Sequence, residues 1–177
     1  MANCGTFNTD INGEVCSGAN PGGNKEIYLI NLASIGEVVF TGSTVSHIYS
    51  TGTVSVTGYK VTARKNSILN EEVFTRAENG SSDYTSTLTF PVDKRDITKR
   101  DALALLNNAT VAYIIQENNQ SYWLHCYRNG AEVSTNAFSS GTARTDVNGW
   151  TVTLSGNSDE FSFPVDPAVI AEIYPAP

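Results

Sequence analysis

SDYTSTLTFPV, residues 82–92, alternates residue by residue: Tyr84, Leu88, Phe90 and Val92 share one parity, and Thr85, Thr87 and Thr89 take the other. Successive side chains of a strand point to opposite faces, so this is a strand with one face in a core and the other in water or against a partner. Asn79-Gly80, just before it, is a hairpin turn signal. Residues 65–83 read as an excursion out of the core domain, with Ile68, Leu69, Val73 and Phe74 as its apolar content. Such an arm either buries those four side chains on a partner subunit, which makes them the candidate subunit contacts, or folds back onto its own sheet.

Upstream, IYLINLA and EVVFTG are short apolar runs separated by Gly36, and both read as strands. In TVSVTGYKVTARK, residues 53–65, Val54 and Val56 share one parity and Tyr59, Val61 and Ala63 the other, with the flip at Gly58. A β-bulge produces such a slip, which predicts one long, bent strand. Residues 1–25 carry five glycines and Pro21 but few large apolar side chains, and form an irregular Gly-rich arm ahead of a single domain over 26–177.

Downstream, DITKRDALALLNN predicts a helix with an apolar stripe at Ala102, Leu103 and Leu106, opened by a Thr98/Asp101 capping box. Next come ATVAYIIQE and QSYWLHCYR around a polar ENNQ turn, then hairpin signals at Arg128-Asn129-Gly130 and Asp146-Val147-Asn148-Gly149. In GWTVTLSG, Trp150, Val152 and Leu154 oppose Thr151, Thr153 and Ser155, and Phe161, Phe163 and Val165 repeat the alternation. Asp166-Pro167 reads as an N-cap and a first-turn proline opening a short helix through Val169, Ile170 and Ile173. The expected fold is mainly β: a β-sandwich or half-barrel with one flanking helix and a short C-terminal helix.

The chain has 177 residues, 40% of them apolar and 16% charged, and no apolar run long enough to span a membrane. The N-terminus shows no secretory signal, which predicts a soluble protein made in the cytoplasm. A formal net charge of −7 argues against phosphate-directed nucleic-acid binding, which needs clustered Lys and Arg. Of the three cysteines, Cys4 and Cys16 could pair, although reduced thiols are the plainer reading, and Cys126 sits in an apolar run as a buried residue.

No catalytic motif is present, and nothing in the chain predicts a metal or a cofactor. His47 and His125 fall in strand patterns and read as solvent-facing or satisfied. Glu71-Glu72 and Asp159-Glu160 are adjacent pairs whose members face opposite ways. Asp93, Asp96 and Asp146 could supply oxygen ligands to calcium, but their spacing matches no known loop. Tyr113, Tyr122, Trp123, Tyr127 and Trp150 could stack sugars from a sheet face, as in a carbohydrate-binding module, yet their alternating positions read as core. The residues therefore predict a structural protein, not an enzyme.

The order of the last seventy residues carries a resemblance: DALALLNN, the strand pair ATVAYIIQENNQSYWLHCYRNGAEV, SGTARTDVNGWTVTLSG, and the ending EFSFPVDPAVIAEI. Gly141, Asp146, Asn148, Gly149, Trp150 and Gly156 supply a segment that resembles one in the C-terminal half of the tail-tube (major tail) proteins of phages of gut bacteria. The similarity covers residues 85–173, and the long-strand region before them more loosely. It implies a virion structural protein, made in the infected bacterium, whose copies close into hexameric rings and stack as the conduit for DNA ejection. Its partners would be copies of itself, other tail or neck proteins, and DNA as non-specific cargo in the lumen, with no membrane. The Gly-rich, Cys-containing arm departs from that pattern and leaves open a neck, ring, hub or capsid-decorating role.

Overall fold

The structure is a computed structural model that describes residues 22–143 and 145–175. The predicted arm over 1–25, with Cys4 and Cys16, therefore lies almost wholly outside the described residues.

Two apolar runs set the architecture. β1 (Asn24–Asn31) buries Ile27, Tyr28, Leu29 and Ile30 in succession, and β8 (Val111–Glu117) buries six consecutive residues from Val111 to Gln116. A strand with one wet face cannot bury neighbours of both parities, so this antiparallel pair, with Ile27 opposite Ile115 and Ile30 opposite Ala112, forms a central layer.

On one face Ile27, Leu29, Tyr113 and Ile115 meet Leu88 and Phe90 of β7 (Ser82–Asp93) and Val152 and Leu154 of β11 (Gly149–Ser158), with Leu103 of α1 (Ile97–Leu106) and Ile68. On the other, Tyr28, Ile30, Ala112 and Ile114 meet a small sheet of β2 (Glu37–Thr41), β3 (Thr44–Thr51) and β4 (Val54–Ser55). That second core is closed by Val169, Ile170 and Ile173 of α2 (Pro167–Ile173).

The larger sheet holds nine strands. It runs from β5 (Gly58–Val61) through β1 and β8 to β10 (Ala131–Ser139), β11, β7 and finally β6 (Leu69–Arg76). β9 (Tyr122–His125) and the two-residue β12 (Phe163–Pro164) extend it from the same edge of β8 that touches β10. The protein is thus mainly β and consistent with a sandwich, with two helices and a second small sheet.

Several expectations hold. β7 and β11 pair along their length with Leu88, Phe90, Val152 and Leu154 inward. Asp166 caps α2 by accepting from Ala168 N at 2.9 Å, with Pro167 in the first turn. Asn79-Gly80 closes the β6–β7 hairpin: Gly80 adopts φ +86°, and Ser81 N donates to Asn79 Oδ1 at 3.0 Å. Cys126 is buried and free.

Three readings are corrected. Residues 53–65 are two strands in different sheets: β4 pairs with β3, and β5 pairs with β1. The parity flip at Gly58 marks the chain passing from the second core, which takes Val56, to the first, which takes Val61 and Ala63. Arg128-Asn129-Gly130 makes no hairpin. β9 and β10 both run antiparallel to β8, so the chain leaves the β8 edge at Cys126 and rejoins it at Ala131, still heading the same way. Cys126 (φ +54°) and Gly130 (φ +78°) bracket this detour, closed by Gly130 N donating to Cys126 O at 2.8 Å. Finally, α1 is capped by Asp96, which accepts from Thr98 N at 3.3 Å, so the start lies before Thr98.

Two-sided burial of β8 has a direct consequence for the neighbours Ile114 and Ile115, which are packed in different cores. Each, replaced singly by Ala, is expected to cost about 2–5 kcal/mol in urea unfolding. A strand with one wet face would leave one of the two close to neutral, and that result would refute the central-layer assignment.

Candidate functional site

β6 is the last strand of the large sheet. It pairs with β7 from Leu69↔Thr89 to Arg76↔Ser82, and no described strand occupies its other edge. The four candidate contact residues separate here. Ile68, 6% exposed, belongs to the chain's own first core and is not available to a partner in this fold. Leu69, Val73 and Phe74 are 54%, 56% and 46% exposed. The excursion thus folds back on its own sheet as an edge strand, yet leaves three of its four large apolar side chains uncovered.

Alternation places Leu69 and Val73 outward, whereas Phe74 shares the inward parity of Ile68 and is exposed because it stands at the far end of the strand, where all four last residues are exposed. Leu69, Glu71, Val73 and Thr75 lie on the outward face of β6, and Asn70 and Glu72 turn inward. The outward face continues across the sheet as Thr85, Thr87 and Thr89 of β7 and Thr151, Thr153 and Ser155 of β11. Thr89 and Thr153 share a hydrogen bond at 3.1 Å between their hydroxyls. Phe74 packs on Tyr84 at 5.0 Å between ring centroids, and Tyr84 on the exposed Phe161 at 4.5 Å.

Underneath, the inward residues tie β6 to the rest of the molecule. The Tyr113 hydroxyl donates to Asn70 Oδ1 at 3.2 Å, and Asn70 Nδ2 lies 3.4 Å from His125 Nε2. With the amide oxygen taken by Tyr113, Nδ2 is the donor to the ring, which places the imidazole proton on Nδ1. The His125 ring stacks on Tyr113 at 4.9 Å and 12°. Glu72 accepts from Ser162 N at 2.9 Å and Ser162 Oγ at 3.0 Å, and from the fully buried Ser86 at 3.4 Å.

Sequence reasoning missed this network, because polar residues at strand positions read as solvent-facing. His125 is neither solvent-facing nor satisfied: it is buried, and its Nδ1 has no partner. Burial drives its pKa down to about 4, outweighing the attraction of the Glu72 carboxylate 3.9 Å from Nδ1. Burial likewise pushes the Tyr113 hydroxyl up, beyond any physiological titration. His47 is exposed and paired with Glu172 at 3.1 Å.

The remaining candidates have structural employment. Asp93 pairs with Arg64 at 2.7 Å, Asp96 caps α1, and Asp146 accepts from Thr142 N and Ala143 N at 2.8 Å, which holds its carboxyl below the usual range. Among the described residues no group of three or more His, Cys, Asp and Glu is placed to hold a metal. No helix among them is long and apolar enough to cross a membrane. Tyr113 lies in the first core, Tyr122 and Tyr127 pack against the second, Trp150 packs against the first and Trp123 stands with Ile115 and His125 beneath β6, so the aromatics do not form one flat sugar-stacking face.

The buried imidazole makes stability depend on pH. Its folded pKa of about 4 lies below its ordinary 6.5, so the unfolded chain binds more protons between those values and stability falls as pH falls. Urea unfolding is expected to show a loss of roughly 2 kcal/mol from pH 7 to pH 5, a window above most carboxylate titration. His125→Gln should remove most of that loss; equal losses in both proteins would show that His125 is not its source. No family model, curated protein or solved structure matches this chain.

Proposed function

We propose that this chain is a structural virion subunit that assembles with copies of itself into stacked rings, most specifically the tail tube of a phage, through which DNA leaves the particle. The observation that carries the proposal is β6: an eight-residue strand with an unpaired edge and Leu69 and Val73 uncovered on its outward face. A long exposed edge is a template for uncontrolled pairing unless a partner strand covers it. Among the described strands β5 pairs with β1 alone, so the described sheet also ends there. β6 of one copy against a different edge of the next is a heterologous contact, the kind that closes into a ring.

Two further features agree with a conduit. The strand residues on the outward face of β6, β7, β10 and β11 are rich in Thr and Ser and include no Lys or Arg, and Arg64, which stands beside Pro91 and Thr151, is paired with Asp93. The chain carries −7 overall, so a ring of six would hold on the order of −40 charges. A hydroxyl-lined, acid-leaning surface gives phosphate nothing to grip. The resemblance of residues 85–173 to tail-tube proteins is what favours a tail tube in particular, and a neck, hub or capsid-decorating protein is the neighbouring role on the same physical basis.

Negative-stain electron microscopy with light scattering tests the reading. The wild-type protein should form rings or tubes, and Leu69→Lys/Val73→Lys should stay at 19.0 kDa with an unchanged circular-dichroism spectrum. Rings without stacking would select the neck or hub role. A wild-type protein that stays monomeric at every concentration, with and without other tail proteins as initiators, would overturn the proposal.

A further inference from the structure

β6 leaves an edge eight residues long, with Leu69 and Val73 uncovered on its outward face, and among the described residues no strand pairs with that edge. Ala77, just past the strand and of the same parity, is exposed as well. The three stand four residues apart. The first described residues lie at the entry end of this strand, where Asn24 Nδ2 donates to Ile68 O at 3.3 Å.

The sequence ahead of them holds a second series with the same spacing. Phe7, Ile11 and Val15 are four residues apart and share a parity with Thr9 and Gly13, while Asn8, Asp10, Asn12 and Glu14 take the other. Such alternation suits a strand with one apolar face, a pattern that the surrounding glycines and Pro21 obscure. Direction follows from the tether. A segment on this edge must end near Ile68, and β6 runs away from Ile68, so the two lie antiparallel. Setting Val15 opposite Leu69 then brings Ile11 opposite Val73 and Phe7 opposite Ala77. On the other face Glu14 meets Asn70 and Asn12 meets Glu72, an amide against a carboxylate each time. A slip of one residue would put Asp10 or Asn12 on Val73 instead.

Residues 16–23 would join Val15 to Asn24, and eight residues reach up to about 26 Å, ample for neighbouring positions. Gly18, Pro21, Gly22 and Gly23 suit the turn between them. So short a tether presents the segment to its own edge at an effective concentration on the order of mM, above that of any other copy in dilute solution.

We propose that residues 7–15 add to the open edge of β6 as an antiparallel strand of the same copy, a strap that covers Leu69 and Val73 in the free subunit. Covering the edge keeps free subunits from pairing at random. In a ring the next copy must displace the strap; that exchange rests on the assembly reading, whereas the docking itself does not.

Disulfide trapping in the full chain, with Cys4→Ser and Cys16→Ser, tests the docking. Directly opposite residues of an antiparallel pair lie within disulfide reach. On oxidation of dilute protein, Ile11→Cys/Val73→Cys should link within one chain in most molecules, as read by peptide mass mapping. Asp10→Cys/Val73→Cys, whose residues face opposite ways, should link roughly fivefold less or lower still. Links mainly between chains, or equal or negligible yields from the two variants, would overturn the proposal. Hydrogen exchange gives a second reading without engineered cysteines. Ile11→Asp/Val15→Asp should speed exchange of the β6 amides that do not bond to β7 by roughly tenfold or more, with β1 and β8 unchanged. Unaltered exchange in β6 overturns the docking equally. Trapping within one chain, in a protein that never forms rings, would sink the assembly reading and leave the strap standing.

Discussion

Everything in this fold hangs on the contact between β1 and β8. Their side chains alternate between two separate cores, so the pair works as a shared wall: the curled half of the large sheet and α1 lean on one side, the small sheet and α2 on the other. Burying a strand pair on both faces takes its backbone groups out of water, and they are satisfied by the ladder from Asn24↔Glu117 to Asn31↔Val111 between the two strands and by β5, β9 and β10 on their outer edges. Neither core is complete without this wall. The arrangement also explains why α1 can leave Ile97 and Leu105 exposed: it contributes little beyond Leu103 to a core that the sheets have already closed.

β6 is held by a different kind of force. Its inward residues make polar contacts with Tyr113, His125, Ser86 and Ser162, where the central strands offer apolar packing. Polar contacts are directional, so they fix the register and tilt of an edge strand that has lost half its ladder. The cost is local. A network with an unpartnered Nδ1 under the strand is less favourable than a satisfied one, and the imidazole stays neutral to accommodate it. Outward, the same strand carries apolar side chains into solvent. Precise inside and unfinished outside is a combination that suits an element positioned for a partner.

Legibility in the sequence followed the physics of each segment. β7 and β11 were readable because each has one core face and one polar face, so Leu88, Phe90, Val152 and Leu154 fall on a two-residue period. The cap of α2 was readable because Asp166-Pro167 acts through its nearest neighbours. β1 and β8 were recognisable as strands, but nothing in IYLI or VAYIIQ says that both faces are covered, since a fully buried strand has no alternation to read. Gly58 announced a change of phase without saying whether the chain bulges or changes sheet, because that depends on where β1 and β3 lie. The Cys126–Gly130 detour mimics a hairpin turn in composition and differs from one only in what flanks it. Of the candidate contacts, Leu69, Val73 and Phe74 stand exposed, and Ile68 does not: one residue at the entry of the strand decides between core and surface.

The distance along the chain between β1 and β8 bears on how the molecule comes into being. The β6–β7 hairpin joins neighbours through a short turn and can form as soon as it leaves the ribosome, whereas Ile27 must wait for Ile115. Long-range pairing carries a loop-closure cost before it yields any contact, so it is the slow step of such topologies. During synthesis, then, the hairpin exists before the wall that supports it. Asn70 and Glu72 have no Tyr113, His125 or Ser162 to hold them in place until the second half of the chain arrives. The strand with the open edge therefore acquires its final geometry among the last, after the rest of the chain has been made.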